Sequence, residues 1–361
     1  MGSLFDSILK ENESLFQNEL ALNYEFVPKL VPYREAQQKR VAACIAPMFN
    51  HHTGRNIVVY GPPGVGKTVA TKHIINELQE KTDEIVPFYI NCWHKNTSFK
   101  VILELCEQID YKFTHNKKTD ELFDIVAARI NKLASVFIFD EIDKAEDTDF
   151  LYLILSKIQN KSIILLTNYK DFVANIDMRI RSRLLPEMLE FKPYDKSETK
   201  GILQQRVELA FLPKIWSVKA FDMVVERTHE LADIRSGLYL LKESGLCAEE
   251  KSSKIIDDSH VVLALAKLDE FKIKSSTELA DDTQQILELI KKRSPAKIGD
   301  LYSFYQKDLK GLASYKTFTR RISKLEEGKF IVVEKTEGGP QGNTSIISYN
   351  TSGQNKKLDE F

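Results

Sequence analysis

Five short apolar runs without a helical period lie among longer stretches whose apolar residues recur every three to four positions. Residues 56–60, 85–91, 135–140 and 162–167 are rich in β-branched and aromatic side chains and alternate little with polar ones, and 187–191 is a fifth strand candidate. That pattern predicts strands covered on both faces. The stretch 68–78, with Ala70, Ile74 and Leu78 at helical spacing, predicts an amphipathic helix. Strand and helix alternate from about residue 20 to 192, as in an α/β domain with a parallel sheet. The alternation stops at Pro193-Tyr194. Beyond it only helical stretches follow, at 198–210, 218–228, 234–247 and 258–268, which predicts an all-helical domain. A charged stretch, 272–282, leads to a third unit. There helices are expected at 284–293, 298–310 and 314–327, strands at 330–335 and 344–348, and a glycine-rich turn at 338–343. This is the order of a winged helix-turn-helix. The predicted divisions are an arm (1–18), the α/β core (19–192), a helical lid (193–275), the winged helix (283–350) and a polar, flexible tail (351–361).

One joint between strand and helix carries chemistry. Gly61-Pro62-Pro63-Gly64-Val65-Gly66-Lys67-Thr68, followed by Val69, fits the phosphate-loop pattern and sits between the first strand and the first long helix. Glycines let the backbone close round phosphates, so that N–H groups and the helix N-terminus face negative charge. Lys67 is then the partner of the β- and γ-phosphates and Thr68 a ligand for Mg²⁺. The loop therefore predicts binding of ATP or ADP. The strand at 135–140 ends in Asp140-Glu141. An acid there can hold Mg²⁺, which suits Asp140, while Glu141 is the candidate base for the attacking water. The strand at 162–167 leads to Asn168, beside the phosphates in a parallel sheet and a candidate contact for the γ-phosphate or lytic water. Arg179, Arg181 and Arg183 alternate through the next segment, as either a strand-edge arginine finger or a solvated run. Asp233-Ile-Arg235 opens a lid helix, and Arg235 is a candidate γ-phosphate contact.

With 361 residues the chain has room for two or three domains. A net charge of −1 excludes a bulk polycation, so any nucleic-acid surface is local. It falls in the third unit: residues 283–350 hold 12 Lys/Arg against 7 Asp/Glu, a net of +5. On the helix at 314–327, Phe318, Ile322 and Leu325 form the expected buried stripe, leaving Lys316, Thr319, Arg320 and Ser323 to face a DNA major groove. The wing tip offers Gln341 and Asn343 but no basic residue. Four cysteines without a CxxC pair argue against a disulfide framework or zinc ribbon and for a reducing, intracellular setting. No apolar run is long enough for a membrane span, and no signal peptide is evident, so no membrane partner is expected.

Together these residues resemble the archaeal replication initiators, AAA+ proteins related to the eukaryotic origin recognition complex and its partner helicase loader. The likeness runs from about residue 14 to 350. Tyr24-x-Phe-Val-Pro28 and Val31-Pro-Tyr-Arg34-Glu35 look like the family's segment before the phosphate loop. By that resemblance Val27, Pro28 and Arg34 are candidate contacts to adenine. It also favours Arg179 as the finger and makes 232–235 similar to the family's second sensor. The implied fold is a five-stranded parallel AAA+ core, a helical lid and a winged helix. The implied activity is slow ATP hydrolysis acting as a switch in a cytoplasmic, nucleoid-associated initiator. The implied partners are double-stranded origin DNA, the replicative helicase and paralogous initiator subunits. The alternative is an AAA+ DNA motor or clamp-loader-like ATPase. Met178, Arg183 and Ala232 depart from the family pattern, which has proline, a small residue and glycine there.

Overall fold

The computed structural model describes residues 14–277, 281–308, 314–327, 330–339 and 342–350. It divides into two compact units, one up to Leu265 and the other from Ala266. The first unit begins with α1 (Glu35–Ile45), β1 (Ile57–Tyr60), α2 (Lys67–Lys81), β2 (Ile85–Asn91), α3 (Ser98–Gln108) and α4 (Thr119–Ile130). It continues through β3 (Ala134–Asp140), α5 (Asp149–Lys157), β4 (Lys161–Thr167), α6 (Phe172–Asn175), α7 (Met178–Leu184) and β5 (Glu187–Glu190). All five strands are parallel, in the order β2-β3-β4-β1-β5. The missing polar alternation has a direct cause. Val58, Phe137, Phe139 and Leu165 enter the layer shared with α3, α4 and α5, whereas Ile57, Val59, Ile138 and Leu166 enter the layer with α1 and α2. In β1, β3 and β4 both faces are buried, so both sets of alternate positions are apolar, whereas edge strand β5 (Glu187–Glu190) has no buried residue.

The segment holding the three alternating arginines is not a strand edge. The Asp177 side chain accepts a 2.8 Å bond from the Arg179 backbone N–H and caps α7. Ile180 and Leu184, four residues apart, supply its buried face. Helical spacing thus decides the segment, and all three arginines are exposed.

Helices α8 (Lys196–Ala210), α9 (Val218–Leu231) and α10 (Ile234–Glu250) complete the first unit, and the division falls within α11 (Asp258–Thr277). Asp195 and Glu198 form a reciprocal capping box at the start of α8. Residues 14–18, expected as part of an arm, pack on these helices instead. Leu15 is buried and its carbonyl accepts from the Leu212 N–H, while the Phe16 and Phe211 ring centroids are 4.7 Å apart. The rest of the expected arm, the tail and Gln341 lie outside the described residues.

The second unit contains α12 (Asp281–Arg293), β6 (Ala296–Lys297), α13 (Ile298–Asp308), α14 (Tyr315–Glu327), β7 (Ile331–Gly339) and β8 (Gly342–Tyr349). Its antiparallel sheet has the order β6-β8-β7. The helices and sheet close over Ile286, Ile290, Leu301, Tyr305, Phe318, Ile322, Leu325 and Ile347. The expected stripe of α14 is therefore the buried one.

Helix α9 ends on Ala232, exposed and at φ +51°, in the left-handed region that favours glycine. An L side chain there costs about 1–2 kcal/mol, against which glycine's greater freedom when unfolded must be set. Ala232→Gly should therefore stabilise the protein by about 0.5–1 kcal/mol, measured by urea or thermal unfolding.

Candidate nucleotide-binding site

The phosphate loop leaves β1 at Tyr60 and enters α2 at Lys67. Gly64 and Gly66 adopt φ +78° and +88°. A Cβ on Gly64 would lie 2.0 Å from Oδ1 of Asp233, and one on Gly66 would lie 2.7 Å from the Tyr194 hydroxyl. Both glycines are thus required for close approach as well as for conformation. Val65 is buried with the core layer of α1 and α2, so its side chain is structural rather than ligand-facing. Lys67, only 8% exposed, donates to the carbonyls of Gly61 (2.7 Å) and Pro62 (2.9 Å) and to Oδ1 of Asn168 (2.9 Å). Burial pulls its pKa down to about 8, outweighing the opposing pull of Asp140 and Asp143.

Asp140, at the C-terminal end of β3, is nearly fully buried. Its Oδ2 accepts from the Thr68 hydroxyl (2.8 Å) and the Tyr89 hydroxyl (2.7 Å), and its Oδ1 from the Glu141 N–H (2.9 Å). Glu141 follows at φ +52°, a strained conformation that turns the chain sharply out of the sheet. Burial, then Asp140 and Asp143, push the Glu141 carboxyl above its usual range, the direction that strengthens it as a base. Burial and the adjacent Asp140 hold the Tyr89 phenol well above its usual value, so it remains a donor. Asp143 ties two strands together: its Oδ1 accepts from the Thr167 hydroxyl (3.0 Å) and the Asn168 N–H (3.1 Å). Asn168 therefore reaches Lys67 from a backbone fixed by the turn after β3.

The helical module closes over this loop. The Asp233 side chain caps α10 and pairs with Arg235 through bonds of 3.0 and 2.8 Å. The Ile234 N–H points to the Gly64 carbonyl at 3.4 Å. Between the modules lies a cavity of roughly 300 Å³. Pro63, Gly64, Gly66, Lys67, Thr68, Val69, Asp140, Glu141, Asn168 and Arg235 line it as expected, with Pro28 on the wall built by the N-terminal segment. Val27 and Arg34 do not line it. Arg34 is buried, and its guanidinium donates to the carbonyls of Val65 (3.1 Å) and Lys192 (2.6 Å) while lying 3.8 Å over the Tyr194 ring. With those donors engaged it braces the loop, which corrects the expected base contact. Arg179 lies outside the cavity, exposed and paired with Asp177.

Several lining residues had no sequence signal. Gln205 and Arg206 on α8 are among them. Arg206 is buried, and donates to the carbonyls of Ala21 (2.9 Å) and Phe26 (3.3 Å). Burial lowers its pKa to about 10, so it stays charged near neutrality and fastens the N-terminal segment to the lid. In the second unit, α14 exposes Arg320 and Ser323, while the half-buried Thr319 returns its hydroxyl to the Tyr315 carbonyl (2.8 Å). Lys316 lies on the same helix and Asn343 on β8, with side chains outside the description.

A phosphate loop and acid-ended strand clasped by a separate helical module are how AAA+ ATPases are built. Two family models fall on the chain accordingly: an AAA domain at residues 50–168, and a Cdc6 AAA+ ATPase-type lid domain at 200–266. The ORC1-type DNA replication protein 1 of Archaeoglobus fulgidus is 30% identical over 348 residues, covering 90% of this chain and 84% of its own. The ORC1-type DNA replication protein 2 of Methanosarcina acetivorans is 27% identical over 357 residues, 95% of both chains. The solved Aeropyrum pernix ORC1 protein in complex with DNA is 25% identical, with a TM-score of 0.75 over 94% of both chains. The chain belongs to the family of ORC1-type DNA replication proteins. It is accordingly an initiator-type AAA+ ATPase.

The lowered pKa of Lys67 gives a pH test. Bound phosphate favours the charged lysine, so the free protein loses this proton near pH 8 while the complex keeps it. ATP affinity should be level with respect to Lys67 below that pH and fall above it, by at most about tenfold per pH unit. Calorimetric titration from about pH 7 to about pH 9.5 checks this, and Lys67→Met should abolish the slope in whatever binding remains.

Proposed function

We propose that this protein is an ATP-controlled, DNA-binding initiator that recognises origin duplex DNA and helps recruit the replicative helicase, with slow hydrolysis resetting the switch. The observation that carries the reading is the contact of Asp233 and Ile234 with Gly64, which couples the loop to the helix bearing Arg235. The Arg235–Asp233 pair is half-exposed. A γ-phosphate carries more charge than one carboxylate and offers three acceptor oxygens, so it competes with Asp233 for the same guanidinium. In this reading a bound γ-phosphate shifts Arg235 away from Asp233, and α10 registers the change.

In this reading the core (19–192) and lid (193–275) form the nucleotide switch, and the winged helix (283–350) carries DNA contacts. Thr68 and Asp140 already share a hydrogen bond. They offer the hard oxygen ligands that suit Mg²⁺, whose remaining positions phosphate and water can fill. The cation would neutralise phosphate charge. Glu141 takes the proton of the attacking water, Asn168 orients γ-phosphate or water, and Pro28 walls the base. Exposure of Arg179 away from its own cavity suits a role in a neighbouring subunit's site, supplied by a paralogous or identical copy. For the second unit, the Aeropyrum pernix relative solved with DNA supports a nucleic-acid role. Lys316, Thr319, Arg320 and Ser323 are the proposed groove contacts, with Gln341 and Asn343 at the wing. Such a protein works in the cytoplasm, at the nucleoid.

Two measurements on the full chain test this. Arg320→Ala should weaken duplex binding and make the slope of log K against log salt shallower by about 0.9; duplex binding with no salt dependence would count against a phosphate-gripping surface. In single-turnover assays one slow hydrolysis followed by retained ADP is expected, abolished by Glu141→Gln with ATP still bound. Rapid, DNA-stimulated cycling would instead identify a motor.

A further inference from the structure

Edge strand β2 brings to Asp140 a side chain that no phosphate-loop pattern includes. In the β2–β3 register Tyr89 pairs with Ile138 and Asn91 with Asp140. Parallel partners share a face, so Tyr89 stands one same-face step short of the carboxylate. Its length closes that gap: the hydroxyl donates to Oδ2 of Asp140 at 2.7 Å. The same oxygen accepts from Thr68 at 2.8 Å, and Oδ1 accepts from the Glu141 N–H. Three donors from β2, α2 and the turn after β3 thus fix one buried carboxylate. The Tyr89 ring is held in turn by the core layer it packs against and by Lys72, whose Nζ lies 5.0 Å from its centroid.

The two hydroxyls on Oδ2 differ in their duties. Thr68 is also the loop's ligand for a cation, whereas Tyr89 comes from outside the loop. We propose that Tyr89 is a positioning residue for Mg²⁺: its hydroxyl fixes the rotation of the Asp140 carboxylate, so that the cation meets a preset ligand. The assignment rests on reading the site as one for Mg²⁺ with ATP, and it adds a residue to that site.

Tyr89→Phe keeps the ring and removes only the donor. The test is calorimetric ATP binding by the full chain, in EDTA and across a Mg²⁺ series, with thermal unfolding to confirm that the variant is folded. The Mg²⁺ concentration giving half of the metal-dependent gain should rise about tenfold, as expected when an outer partner of a metal ligand is lost. Affinity in EDTA should change far less. In an Asp140→Ala background, Tyr89→Phe should add no further loss. An unchanged Mg²⁺ requirement, an equal loss with and without Mg²⁺, or additive effects in the double variant would each overturn the assignment. A wild-type protein indifferent to Mg²⁺ would overturn the site reading itself, and Tyr89 with it.

Discussion

The close contact between the phosphate loop and the helical module is the constraint on which the rest of the first unit depends. Gly64 lies against Asp233 and Gly66 against Tyr194, each too near for a Cβ. Arg34 joins the carbonyls of Val65 and Lys192 from a third direction. The loop cannot change shape alone, because its neighbours come from the N-terminal segment, the exit of β5 and the start of α10. A nucleotide that alters the loop acts on all three.

Electrostatics point the same way. Burial puts Lys67 close to losing its proton, and burial with neighbouring acids raises Glu141. Both shifts come from withdrawing charge from water in a small volume, and both leave the free site poorly compensated. In the proposed nucleotide complex the missing charges would arrive in pairs, phosphate for the lysine and Mg²⁺ for the carboxylates. The charge balance of the free site thus favours nucleotide, and under the proposed reading its cation as well.

Much of this was legible in the chain because it is local. The inner strands follow from apolar runs whose two faces are both buried, and the loop from eight consecutive residues. Asp140, Glu141 and Asn168 follow from their positions at strand ends in a parallel sheet. What escaped depends on contacts between distant segments. Tyr89 resembles any strand aromatic until the register sets it beside Asp140. Asp143 reads as one more turn acid until its carboxylate meets Thr167 and Asn168. Arg206 reads as the polar side of a helix, yet it is buried against carbonyls of residues 21 and 26. Arg34 was offered as an adenine contact by the family resemblance of its segment, but its Nε and Nη2 donate to the carbonyls of Val65 and Lys192. Of the two readings of the α7 arginines, the strand edge fails because alternation in charge masked the i, i+4 pair Ile180 and Leu184.

The strained turn at Ala232 has a mechanical meaning beyond its cost in stability. A glycine hinge explores many backbone states and dissipates displacement within itself. An alanine held at positive φ has a narrow well, so the turn between α9 and α10 is stiff. Asp233 and Arg235 follow at once, which makes the turn the mounting of the arginine proposed to meet the γ-phosphate. In the proposed switch, motion of that arginine would pass along the helix as through a lever with a rigid pivot, with less slack than a glycine joint would allow.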